Sequence, residues 1–272
     1  MYTRIICPID FSETAINAVE YAAQIAQKFS GKLFLLNVHP LISSELVAGN
    51  ADALRETTSD NRKRLNNICS ETNKSFQVAC EAEVIVAYPR LEKMIEAAVQ
   101  EKSMIVMGTS GIDDLYQYFF GTNTFNVIKK VSCPVWLVPE HTSYSPVLEL
   151  VYACDIEKAK KYLNQVLVFA KQLNAKIHLL HVSKNDSDIP PEKYAALTGE
   201  IEKVLSANGI NHSFEKIYSD DISDETNQYM VKKENSLLVM PVQDYTILET
   251  IFKKSHIKKI SAIASYPVLF IH

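Results

Sequence analysis

One layout of elements occurs twice along this chain, and that repeat constrains its fold more than any other feature. The first half closes with Val106-Met107-Gly108-Thr109-Ser110-Gly111, nine further residues, Gly121-Thr122-Asn123-Thr124, and then Cys133-Pro134-Val135-Trp136-Leu137-Val138. The second half closes with Leu237-Leu238-Val239-Met240 and Pro267-Val268-Leu269-Phe270-Ile271, and Pro241 stands as far from Pro267 as Gly108 does from Pro134. Lys32–Val38 is likewise mirrored by Lys176–Val182. In both halves, apolar runs of strand length with little alternation are followed by helical patterns, as buried parallel strands require. Parallel neighbours need long crossovers, so each half is expected to be a doubly wound α/β domain, a five-stranded parallel sheet with helices on both faces. At 272 residues and 47% hydrophobic content the chain can bury two such cores. Pro139-Glu140-His141-Thr142-Ser143-Tyr144-Ser145-Pro146 has linker chemistry, which predicts domains over 1–140 and 147–272.

Local signals place the elements. Arg4–Ile9 reads as a strand, Asp10 or Ser12 as the cap of the next helix, and Ala15, Val19, Ala22, Ala23, Ala26 and Phe29 as its buried stripe. Gly31 is expected to end that helix in a left-handed conformation. A helix and loop should occupy 43–73, a strand 77–86, and Pro89 should start a helix buried through Leu91, Met94, Ile95 and Ala98. Strands at 104–107 and 134–138 flank a helix near 123–131. The second half predicts strands at 147–153, 176–182, 213–218 and 237–240, with a helix after Asp155 striped by Ala159, Leu163, Val166 and Ala170. The acidic run Asp220–Glu225 reads as a solvated loop and helix start, where carboxylates are favourable.

The net charge of −4 with 22% charged residues provides no basic field for nucleic acid or an anionic membrane. No apolar run approaches a bilayer span and the start has no leader-like pattern, so a soluble cytoplasmic protein is expected. The five cysteines (Cys7, Cys69, Cys80, Cys133, Cys154) lack metal-type spacing and read as small core residues of a reducing compartment.

Glycine placement carries the functional signal. A strand ending at Met107 and followed by Gly108-Thr109-x-Gly111 puts pliable backbone at the carboxyl end of a parallel sheet, where open α/β folds bind ligands. There a side chain would block close approach and disfavour positive φ angles that aim N–H groups at one point. Gly121-Thr122-Asn123-Thr124 precedes a helix, so its N–H groups and hydroxyls face an anion at a positive dipole end. Each glycine pair by itself also fits a turn, and Asp10 also fits a plain N-cap. Neither a Gly-x-x-x-x-Gly-Lys-Ser/Thr loop nor a Gly-x-Gly-x-x-Gly after the first strand occurs.

The spacing Gly108-x-x-Gly111, nine residues, Gly121-Thr122-Asn123, together with Pro8-Ile9-Asp10-Phe11-Ser12, resembles the ATP-binding signature and first-strand motif of universal stress proteins, and the chain resembles a tandem member over both halves. This resemblance implies an adenine nucleotide alpha-hydrolase-like fold with pseudo-two-fold related domains. It also implies a site drawn from Pro8, Ile9, Asp10, Val38, Met107, Gly108, Thr109, Gly111, Gly121, Thr122, Asn123 and Thr124. Gly108, Gly111, Gly121 and Thr122 would hold phosphates of ATP, ADP or AMP, with or without Mg, Asp10 would meet ribose or adenine, and Ile9 and Val38 would flank the base. Ala87 departs from the family pattern, where glycine is common. The implied function is stress response by nucleotide-dependent binding; the alternatives are a slow Mg-dependent ATP hydrolase and a nucleotide-free scaffold. No residue presents itself as catalytic.

In the second half Pro241, Asp244 and Lys254 stand where the first has glycines. Proline offers no N–H and Asp244 sets a carboxylate where phosphate would lie, so no nucleotide is expected there. The basic cluster Lys253, Lys254, His256, Lys258 and Lys259 reads as a solvated face or a site for another anion. The short apolar strands near Val135–Val138 and Val268–Ile271 are expected to pair the two halves, with a homodimer as a further option.

Overall fold

A computed structural model describes residues 1–40, 51–87, 90–109, 122–140, 142–184, 189–242 and 266–272. The chain divides into two compact units, one holding the described residues between Tyr2 and Tyr144, the other those from Ser145 to His272.

In the N-terminal unit the order is β1 (Arg4–Pro8), α1 (Glu13–Lys28), β2 (Lys32–Pro40), α2 (Ala51–Phe76), β3 (Cys80–Ala87), α3 (Leu91–Ala98), β4 (Ser103–Thr109), α4 (Thr122–Lys130) and β5 (Val135–Pro139). All neighbours are parallel, β1 lying between β2 and β4, with β3 beyond β2 and β5 beyond β4. Ile5, Ile6 and Cys7 of β1 and Leu33, Leu35 and Leu36 of β2 are fully buried. The missing alternation follows from helices on both sheet faces.

Ser12 caps α1, its hydroxyl accepting from the Ala15 N–H at 3.2 Å. The expected stripe from Ala15 to Phe29 is buried throughout. The exit from α1 differs from expectation. Ser30 takes the left-handed conformation (φ 51°), while the Ser30 and Gly31 N–H groups close the helix on Gln27 and Ala26 carbonyls. Gly31 is needed for space instead, since a Cβ there would stand 2.7 Å from the Thr3 carbonyl oxygen. Helix α3 has Arg90 as its N-cap, so it starts after Pro89, which is outside the described residues. Its buried residues are Ile95 and Glu92. The Lys130 ammonium, 2.8 Å from the Glu92 carboxylate, compensates that burial and ties α3 to the end of α4. The Lys130 hydrogen bond holds the Glu92 carboxyl below its usual range.

The C-terminal unit repeats the layout: β6 (Glu149–Ala153), α5 (Ile156–Leu173), β7 (Lys176–Ser183), α6 (Pro191–Ala207), β8 (His212–Tyr218), α7 (Ile222–Val231), β9 (Ser236–Pro241) and β10 (Val268–Ile271). Strand β6 lies between β7 and β9, β8 beyond β7 and β10 beyond β9, again all parallel. Asp155 caps α5 through the Glu157 N–H at 3.1 Å, and Asn174 ends it left-handed at φ 58°. Asp221 caps α7 by accepting from the Asp224 N–H, which gives the acidic run its place. Helix α6 has no clear signal in the sequence because only Ile201 and Leu205 are buried along it. Among the described residues no helix is long and apolar enough to cross a membrane.

Candidate functional site

In each unit the chain builds outward on one side of the first strand and then crosses to the other. The reversal falls between β1 and β4 in one unit and between β6 and β9 in the other. Crevices outside the carboxyl ends of strands at such a reversal are where open α/β sheets bind ligands.

In the N-terminal unit this place is flanked by the Pro8–Ser12 turn and the Gly108-Thr109 end of β4. Pro8 ends β1 opposite Leu36, and Ile9 is buried, its N–H bonded to the Leu36 carbonyl at 3.0 Å. Asp10 is exposed, and one carboxylate oxygen accepts from the Ser12 N–H at 3.0 Å and hydroxyl at 2.6 Å. Asp10 therefore orders the turn while Ser12 does the capping. Val38 lies near the end of β2 opposite Ile85, half-buried. Met107 is buried, Gly108 pairs with Val138, and the Thr109 hydroxyl donates to the Val138 carbonyl at 3.4 Å. Thr124 is buried in the first turn of α4. Thr122 and Asn123 open that helix, while Gly111 and Gly121 are outside the described residues.

Gly108 has no positive φ. It continues β4 as a strand residue, and a Cβ there would lie 2.7 Å from the Thr14 carbonyl oxygen and 2.8 Å from the Thr14 methyl. Its bareness lets β4 close against the first turn of α1. Phe11, in the turn after β1, has a positive φ (67°), and its ring lies 4.2 Å beneath the Arg64 guanidinium of α2. Behind the turn, buried Asn37 donates to the Ile9 carbonyl at 2.8 Å and accepts from Asn61 of α2 at 3.4 Å. Phe11, Arg64, Asn37 and Asn61 did not stand out in the sequence, because contacts across strands and onto α2 leave no local pattern. Asn17 secures the end of β5 by donating to the Pro139 and Thr142 carbonyls, both at 3.3 Å.

The C-terminal counterpart has the same frame and other chemistry. Pro241 ends β9 buried and paired with Ile271, in the register that pairs Gly108 with Val138. Asp155 corresponds to Asp10, and His181 to Asn37: the imidazole Nδ1 lies 3.2 Å from the Cys154 carbonyl, as Asn37 meets Ile9. Asp244, Lys254 and the basic cluster are outside the described residues.

The opposite ends of the sheets also correspond. In the N-terminal unit the Arg4 guanidinium sits 4.1 Å above the Phe34 ring and 3.8 Å from Glu81. The matching C-terminal positions hold Glu149, His178 and Ser213. His178 is buried, its Nε2 3.2 Å from Glu149 and its Nδ1 2.8 Å from the Ser213 hydroxyl, and Lys233 approaches Glu149 at 3.2 Å. Burial pushes the His178 imidazole below its ordinary value against the pull of Glu149. Burial pushes Glu149 up, but Lys233 and His178 outweigh it and hold the carboxyl low.

Residues 1–139 match the family model described as Universal stress protein family. Two universal stress proteins of Methanocaldococcus jannaschii are similar, one 26% identical over 147 residues (51% of this chain, 82% of the relative), the other 28% identical over 161 residues (53% and 98%). The crystal structure of a universal stress protein from Archaeoglobus fulgidus is similar in fold over 98% of this chain and 95% of its own, with TM-score 0.67 and 16% identity.

Proposed function

Since this chain belongs to the universal stress protein family, we propose that its N-terminal unit binds ATP or a related adenine nucleotide and that the protein acts in the cytoplasmic stress response through that binding. The observation that carries the reading is convergence at the β1–β4 reversal. The Asp10 turn and the Gly108-Thr109 end of β4 stand at the carboxyl ends of the paired strands β1 and β4, where open α/β sheets bind ligands. The Gly111 and Gly121 N–H groups and the opening of α4 would hold phosphates, a helix N-terminus being favourable for an anion. Ile9 and Val38 would flank the base. A magnesium ion would arrive with the phosphates, as Mg²⁺ at nucleotide sites commonly does.

Gly121→Asp should abolish binding, because it places a carboxylate beside the phosphates. Asp244→Gly should restore little in the second unit, where Pro241 still lacks its N–H. Isothermal titration with ATP and AMP reads both, with one nucleotide per chain expected. Absence of heat sinks the reading, unchanged stoichiometry in Gly121→Asp sinks the site assignment, and turnover well above background would make the protein a hydrolase. Pairing of the halves through Val135–Val138 and Val268–Ile271 belongs to the same proposal. Charged substitutions at Leu137 and Leu269 should make the halves separable by limited proteolysis between Pro139 and Pro146.

A further inference from the structure

We propose that the C-terminal unit carries a catalytic site of its own, a Ser213-His178-Glu149 triad that cleaves small carboxylic esters by acyl transfer through Ser213. It is independent of nucleotide binding in the first unit. The three residues lie on the neighbouring strands β8, β7 and β6, towards their amino ends, with His178 opposite Ser213 and Glu149 opposite Lys176. The first unit fills the matching positions with Arg4, Phe34 and Glu81, and there Arg4 stacks on the Phe34 ring. An aromatic ring thus satisfies the fold at this place, and packing does not call for a buried imidazole.

The His178 Nδ1 lies 2.8 Å from the Ser213 hydroxyl, and its Nε2 lies 3.2 Å from the Glu149 carboxylate. The second contact is out of hydrogen-bond alignment, as catalytic contacts often are before a substrate binds. Burial opposes ionisation of Glu149, but Lys233, 3.2 Å away, and His178 keep it a carboxylate. A carboxylate on that side favours the tautomer with its proton on Nε2, which leaves the Nδ1 lone pair to the Ser213 hydroxyl. Burial also outweighs the pull of Glu149 on the ring, with Lys233 beyond α7 and Lys176 of its own strand acting the same way. The imidazole is therefore neutral at pH 7 and able to take a proton. Nucleophile, base and orienting carboxylate stand in the order that activates a serine.

Exposure fits these roles. His178 is only 2% exposed, whereas Ser213 is half-buried on the outermost strand of the unit, and Glu215, two residues on, is exposed. The Asn211 carbonyl accepts from the Ile177 N–H of β7 at 2.9 Å. Alternation along β8 then turns the Ser213 N–H towards β7 and the Phe214 N–H to the outer edge, where no strand pairs with β8 among the described residues. That N–H, on the residue after the nucleophile, would receive the oxyanion. Ser213 Oγ adds to the ester carbonyl carbon as its proton passes to Nδ1. The bond to the leaving alkoxide breaks, and the alkoxide takes that proton. Water repeats the addition, its proton passing through Nδ1 to Ser213 Oγ as the carboxylic acid is released.

The test uses the full chain with p-nitrophenyl acetate as substrate and a fluorophosphonate probe, which Ser213 Oγ would attack at phosphorus with release of fluoride. Peptide mass spectrometry should find one label per chain, on Ser213, and p-nitrophenyl acetate should slow the labelling. Ser213→Ala and His178→Phe, purified in parallel with wild type, should each lower turnover about 10²-fold while a cooperative melt persists. Glu149 is a positioning residue, so Glu149→Gln should lower kcat about tenfold at unchanged KM, with the label still on Ser213. A label on another residue or none, turnover in Ser213→Ala within about twofold of wild type, or an unmoved kcat in Glu149→Gln overturns the proposal. If a variant does not fold, labelling of the wild-type chain still decides.

Discussion

At the scale of single residues, the site depends on side chains whose importance lies in what they touch. Gly108 illustrates this: its lack of a side chain admits the Thr14 backbone. Gly108→Ala should therefore lower stability by about 1–3 kcal/mol, as overpacking does, because the nearest obstacle is backbone. Urea denaturation checks this, and an unchanged midpoint would refute the close approach. His178 gives a second residue-scale prediction. Among Glu149, Lys233, Lys176 and Ser213, its folded-state proton affinity is lowered chiefly by burial. Between the folded and ordinary imidazole values the unfolded chain binds the extra proton, so stability is greatest above about pH 6.5 and declines as pH falls through that value. Glu149, held low, adds stability that is lost at lower pH still. His178→Phe, which copies Phe34 of the other unit, should flatten the decline below about pH 6.5 in pH-dependent melts. A persistent slope there would assign it to other groups.

At the scale of elements, the helices are ended by unusual means. The chain has only seven glycines, and Ser30, Gln77, Lys102, Asn174 and Asn235 take positive φ where turns lead into strands. Left-handed conformation costs a residue with a Cβ about 1–2 kcal/mol, partly offset by the greater unfolded-state freedom of glycine. Lys102→Gly, at φ 64°, should thus stabilise the chain by roughly 0.5–1 kcal/mol. A lower denaturation midpoint would show that the Lys102 side chain matters more than its backbone. Element types were legible where apolar faces were broad, as in α1 and α5, whose expected stripes are buried. They were not legible in α6, whose two buried residues leave the periodicity too thin to read. Around the candidate site, the Asp10 turn and the capping Ser12 were readable, because turn and cap chemistry acts within a few residues.

At the scale of the whole molecule, two units with matching strand registers differ at the carboxyl ends of their strands, Gly108 in one standing where the other has Pro241. If only the N-terminal unit binds ATP, amide exchange should slow on adding ATP in β1, β4 and α4 and not in β6, β9 or α5. Equal protection in both units would contradict the asymmetry. The amino-acid sequence by itself determined the repeated β/α alternation, the parallel sheets and the loss of glycines from the second half. Those depend on local periodicity, on buried strands and on the need for long crossovers. Only the tertiary structure decided that Gly108 makes room for Thr14, that Phe11 bears a positive φ in the turn after β1, and that His181 stands where Asn37 does. Each is a contact or a backbone angle set by packing of segments far apart along the chain, and no short window of residues encodes it.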